Sequence, residues 1–166
     1  KVRAQAVRML AKWQPEQALP ILADVLPNAA PPEQAAAFVA LADLNNTDAD
    51  ELLAEWVDRM GAGQVDPSVQ LELFECAKTR ASGGSEVLAA SMKQWRDRMN
   101  QSDPHAWQQI AVHGGDVKAG RDIFYNNATA SCQRCHFVKT EAHAEMAPEV
   151  GPELSGVGLS MNREEL

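Results

Sequence analysis

Cysteine, aromatic residues and basic charge are all scarce in this chain. Three cysteines in 166 residues are too few for a disulfide framework. Aromatic residues make up 5%, so any core must be built mainly from aliphatic side chains and alanine. Fifteen basic residues against 23 acidic ones leave a net charge of −8, about −5 before residue 111 and −3 after it. That balance argues against a nucleic-acid backbone as partner. No apolar run approaches the ~18 residues of a membrane-spanning helix, so no span is expected. Hydrophobic residues at 45% and charged residues at 23% are a globular balance. The length suits one domain or two small ones. The chain opens at Lys1 inside a helical pattern, without an initiator Met or a leader, and reads as a piece of a longer chain.

From Lys1 to about Ile110 the pattern is helix after helix. Val2, Ala6, Met9, Leu10 and Trp13 fall on one face of a 3.6-residue period. Leu22, Val25 and Leu26 mark a second segment, and Ala35, Phe38, Val39 and Ala42 a third. Leu52, Leu53, Trp56, Val57 and Met60 mark a fourth; Val69, Leu73, Cys76 and Ala77 a fifth; Leu88, Met92, Trp95 and Met99 a sixth. No stretch alternates as a strand would. Asp66-Pro67 and Asp103-Pro104 each set a capping acceptor before a first-turn proline. Pro15 and Pro31-Pro32 open segments similarly, and Gly61, Gly63 and Gly83-Gly84 lie where helices should stop. Pro20 implies either a helix starting near it or one begun at Pro15 and bent there. Trp13, Trp56 and Trp95 are expected to pack inward, Cys76 to be a small buried hydrophobe, and the charges from Asp48 to Asp58 to form a solvated face.

The segments pair as helix, short break, helix, with first-helix starts near Val2, Pro32 and Pro67. A period of ~30–35 residues is that of a helical solenoid, whose units bury their apolar faces against neighbours. Residues 1–112 resemble a HEAT-like repeat array, Val2 to Ala11 looking like the first helix of one repeat; an irregular helical bundle is the competing reading. The expected fold class is all-α.

After Ile110 the grammar changes. Six of the ten glycines lie between Gly114 and Gly158. His113-Gly114-Gly115 marks a boundary, giving expected domains 1–112 and 113–166, and Asp116 can cap a short helix through Tyr125. Residues 126–160 read as loop, a length that calls for something other than secondary structure to organise it. A large cofactor would do so.

Cys132-Gln133-Arg134-Cys135-His136 is the attachment signature of a c-type haem. Two thiols one turn apart can each add to a vinyl group of the porphyrin, and the next residue's imidazole then ligates the iron through Nε2. Other chemistries compete. Zinc could use Cys132, Cys135 and His143 but lacks a fourth ligand, Cys76 being in the other half. A redox Cys-x-x-Cys belongs at a strand-to-helix turn, and no strand precedes Ser131. His105 and His113 lie outside the motif and read as surface residues.

The flanks of this motif carry a second resemblance. Gly115 to Phe124, with a Gly-x-x-x-aromatic pair at Gly120 and Phe124, resembles the first helix of a class I cytochrome c. Val150-Gly151-Pro152-Glu153-Leu154-Ser155-Gly156 resembles that family's Gly-Pro-x-Leu-x-Gly loop. The resemblance implies haem c attached through Cys132 and Cys135, with His136 as proximal iron ligand. It further implies that the Pro152 carbonyl accepts the His136 Nδ1–H, that Leu154 packs on the haem, and that Phe137 and Val157 help exclude water. The family takes its distal ligand, usually methionine, well downstream and closes with a final helix; this sequence stops 30 residues after His136, so the domain reads as truncated. Met146, Met161 and His143 are the nearest alternatives, each expected to be loop or surface residues. Ser160 looks like the cap of a next helix, with Glu164 and Glu165 in its first turn.

As a whole the chain resembles large secreted haem-binding proteins of planctomycetes and related bacteria, in which a sugar-dehydrogenase-like propeller precedes HEAT-like repeats and a cytochrome module. The resemblance implies electron transfer rather than catalysis by this part, and a redox protein or a dehydrogenase domain of the same full-length chain as partner. It also implies a periplasmic or extracellular location, since thioether attachment in bacteria occurs outside the cytoplasmic membrane. A protein-binding scaffold with a structural haem, or an open-site haem enzyme or sensor, are the alternative functions.

Overall fold

The computed structural model describes residues 2–99, 101, 106–139, 150–162 and 165. The chain divides into two compact units, Lys1–Gly114 and Gly115–Leu166. Among the described residues every regular element is helical, and no helix is long and apolar enough to cross a membrane.

The first unit holds six helices: α1 (Val2–Trp13), α2 (Pro15–Val25), α3 (Pro31–Leu44), α4 (Thr47–Gly61), α5 (Pro67–Ser82) and α6 (Glu86–Met99). Their ends follow the expected punctuation. Pro15, Pro31 and Pro67 each occupy a first-turn position, where the missing N–H costs no helical bond. Asn46 caps α4 by accepting the Ala49 N–H at 2.8 Å, and Asp66 caps α5 by accepting that of Ser68 at 2.9 Å. Pro20 lies inside α2, which therefore begins at Pro15 and runs through it. Asp103-Pro104 lies outside the described residues.

The helices pair as hairpins and the hairpins stack in two rows. α1 packs on α3 and α3 on α5, while α2 packs on α4 and α4 on α6. A helix flanked on both sides should be apolar around much of its circumference. α3 is such a helix, burying Ala36, Ala37, Phe38, Ala40 and Leu41. Aromatic pairs sit at the contacts between helices: Phe38 meets Trp56 edge-on at 5.5 Å, and Phe74 meets Trp95 at 5.5 Å. Beyond α6 a 3₁₀ turn, Ala106–Ala111, packs against α5 and α6. It buries Ile110 and stacks Trp107 on Phe74 at 6.0 Å.

Two expectations fail in this unit. Trp13 is 70% exposed, whereas Trp56 and Trp95 are buried. The inward side of α1 is formed instead by Val7, Leu10 and Ala11, leaving Val2, Ala6, Met9 and Trp13 facing solvent. Only one side of α1 has helices against it, so its second apolar stripe goes uncovered. Asp50, expected on a solvated face, is buried. Arg80 of α5 grips it through Nε at 2.7 Å and a second guanidinium nitrogen at 2.9 Å, and also donates to the Asn45 side chain. Bidentate geometry of this kind compensates the desolvated carboxylate.

The second unit contains α7 (Val117–Asn126), a 3₁₀ turn at Cys132–Arg134 and the short α8 (Val157–Ser160). Asp116 caps α7 by accepting the Ala119 N–H at 2.8 Å, as expected from sequence. Among its described residues, the stretch 126–160, expected as loop, contains two short helical turns and a single bridge between Phe137 and Glu153. Ser160 ends α8 rather than capping a following helix. Capping geometry appears at Asn162 instead, which accepts the Glu165 N–H at 3.0 Å while Glu165 accepts the Asn162 N–H at 2.8 Å, a reciprocal capping box. Glu164 is outside the described residues.

Candidate functional site

The second unit has no core of its own among the described residues. None of them is buried, while Val117 is 90% and Leu159 95% exposed, and Ile123, Val150 and Met161 are exposed as well. α7 is strongly amphipathic, with Val117, Ile123 and Phe124 on one side. Apolar side chains arranged this way are left without a cover by the unit's described residues.

The cysteines sit on the tight turn. Asn127 prepares it, its side chain accepting the N–H groups of Thr129 and Ala130 at 3.0 and 2.8 Å. Ser131 then adopts a left-handed conformation, φ 49°. The Cys132 carbonyl accepts the N–H groups of Cys135 at 3.2 Å and His136 at 3.0 Å. Cys132 opens the 3₁₀ turn and Cys135 follows it directly as its C-terminal cap. Both are free thiols, Cys132 half-buried and Cys135 exposed. Gln133 ties this turn back to α7 by donating to the Tyr125 carbonyl.

His136 is oriented from the other side of the loop. Its Nδ1 lies 3.1 Å from the Pro152 carbonyl. A carbonyl cannot donate, so the bond requires the proton on Nδ1 and leaves the Nε2 lone pair free as a ligand. Gly151 makes this approach possible. A Cβ at that position would overlap the Cys135 carbonyl oxygen, come to 2.7 Å from the Cys135 carbonyl carbon and to 3.1 Å from His136 Nδ1. Only a residue without a side chain brings the two strands of the loop this close.

Residues 153–155 are fastened to 137–139. The Leu154 N–H donates to the Phe137 carbonyl at 2.9 Å. The Lys139 N–H donates to the Ser155 hydroxyl oxygen at 2.6 Å, and the Lys139 ammonium pairs with Glu153 at 2.8 Å. The Lys139 ammonium, followed by the Ser155 hydroxyl, holds the Glu153 carboxyl below its usual range. Phe137, Leu154 and Val157 are half-buried and Pro152 is exposed.

Cys132, Cys135, His136, Phe137, Pro152 and Leu154 are therefore assembled at one loop junction. His143 and Met146 lie outside the described residues, as does His105, and Met161 and His113 are exposed. Among the described residues no three His, Cys, Asp or Glu side chains converge as a metal-binding group. The donor set is one imidazole nitrogen beside two thiols, which fits a group that takes one protein nitrogen on its iron and two sulfurs on its rim. Gly151 stands in the Gly-Pro-x-Leu-x-Gly stretch, but its close approach to Cys135 and His136 appears only in the structure. Gln133, Lys139, Glu153 and Ser155 were not among the expected site residues. They carry no periodic signal, because their partners lie 8 to 16 residues away.

Comparison with family models, curated proteins and solved structures finds no match.

Proposed function

We propose that the second unit is a c-type cytochrome module that carries electrons one at a time, mounted on a HEAT-like helical scaffold. The observation that carries the reading is the Pro152 carbonyl 3.1 Å from His136 Nδ1, immediately beside the Cys132/Cys135 turn. That bond fixes the tautomer, points Nε2 outward and increases the basicity of the ring. Cys132 and Cys135 would hold haem c covalently, and His136 would be its proximal iron ligand. Phe137, Leu154 and Val157 would shield it from water, and its faces would cover the apolar side chains that the unit leaves exposed. When bound, the haem supplies reversible one-electron chemistry at iron. Stacking of odd-numbered helices on odd and even on even, with first helices starting at Val2, Pro31 and Pro67, supports the repeat reading of the first unit.

The proposal places the site outside the cytoplasmic membrane, where thioether attachment takes place in bacteria. It makes a redox protein, or a dehydrogenase domain of the same full-length chain, the electron partner. The test is expression in a host competent for c-type maturation. Wild-type protein should show a Soret band that survives acid-acetone extraction, and Cys132→Ala/Cys135→Ala should lose it to the solvent. Zinc without iron in the matured protein would refute the reading.

A further inference from the structure

We propose that Lys139, Glu153 and Ser155 are positioning residues for His136, setting the reduction potential of the group ligated there; this rests on the cytochrome reading above. No described residue of 115–166 is buried, so polar contacts do much to seat the 150–157 loop. Those contacts gather on the three residues directly after Pro152: Glu153 to the Lys139 ammonium at 2.8 Å, the Leu154 N–H to the Phe137 carbonyl at 2.9 Å, and Ser155 to the Lys139 N–H at 2.6 Å.

An isolated exposed ion pair stabilises little. This one is coupled, because the lysine whose ammonium pairs with Glu153 also donates its backbone N–H to the Ser155 hydroxyl oxygen. The same lysine is thus held at its backbone and at its ammonium, and both grips fall within three residues of the Pro152 carbonyl. Loosening them lets that carbonyl withdraw from His136 Nδ1. A weaker Nδ1–H bond makes the imidazole a poorer electron donor, which favours the ferrous over the ferric iron and raises the potential.

The experiment compares matured wild type with Glu153→Gln, with Ser155→Ala and with the double swap Lys139→Glu/Glu153→Lys. The midpoint potential is measured, together with solvent exchange of the His136 Nδ1 proton by NMR of the reduced protein. Both single variants should retain covalent haem, shift to higher potential and exchange that proton faster, and the swap should return both readouts toward wild type. Unchanged potentials in haem-loaded single variants, or a swap displaced as far as the singles, would overturn the positioning role. Wild type without covalent haem would instead overturn the cytochrome reading and this inference with it.

Discussion

Trp13 and Trp95 share a residue type and a place in a helical pattern, yet one is 70% exposed and the other 1%. Removing a buried tryptophan leaves a cavity and forfeits its contacts with Phe74, so Trp95→Ala should cost about 3–5 kcal/mol. Trp13→Ala should change stability by under about 0.5 kcal/mol. Urea titration followed by far-UV circular dichroism distinguishes the two. Cys76 makes a second residue-scale case. Burial, with Glu72, Asp43 and Glu75 nearby, pushes its thiol from 9.0 up to about 12. A group that holds its proton more tightly folded than unfolded contributes stability that is fully present below its unfolded value. Its contribution to stability is lost as the pH climbs from about 9 toward 12. Iodoacetamide should accordingly spare Cys76 at pH 8 and label it once urea unfolds the helices, as read by mass spectrometry. Gly151 is the third case. Gly151→Ala must push the loop away from Cys135, and the His136–Pro152 bond should go with it, lowering haem retention in matured protein.

Among elements, α5 does more than fill the stack. Its Arg80 binds Asp50 in the first turn of α4 and Asn45 at the end of α3. Both partners of the ion pair are largely shielded, with side chains 15% and 8% exposed. The carboxylate in turn holds the guanidinium's pKa above its ordinary value. Arg80→Met would leave Asp50 as a buried charge without its cation, at a cost of about 3 kcal/mol. Arg80→Met/Asp50→Leu should recover much of that in the same urea titration, because two apolar groups leave nothing unsatisfied. α7 is the opposite kind of element, correctly capped and amphipathic but without a buried side chain. Its existence was legible from the Asp116 cap and the Gly120/Phe124 pair; nothing in those residues says what covers its apolar side.

At the scale of the molecule, the two units differ in how each can be stable. The first buries a continuous cluster from Ala11 to Ile110 and should unfold cooperatively by itself. The second, with none of its described residues buried, should gain a cooperative transition only when a covalently held group supplies further apolar contacts. Calorimetry of His136→Ala, or of protein made without c-type maturation, should therefore show the helical transition alone. Matured wild type should add another. Loss of the helical transition in His136→Ala would contradict the division of the chain after Gly114.

The amino-acid order alone located the starts of α3, α5 and α7 and the position of the Cys-x-x-Cys-His run. Caps, first-turn prolines and a Cys-x-x-Cys-His run act within a few residues, and such local physics is written locally. It also determined that the chain is helical, since the 3.6-residue period depends only on backbone geometry. Which stripe of α1 is covered, that Asp50 is interior, that Gly151 lies against His136, and that Lys139 meets Ser155 were decided by long-range packing. Each of these depends on which distant segment arrives beside a residue. That encounter sets burial and dielectric surroundings, and these a one-dimensional pattern of apolar and charged positions does not encode.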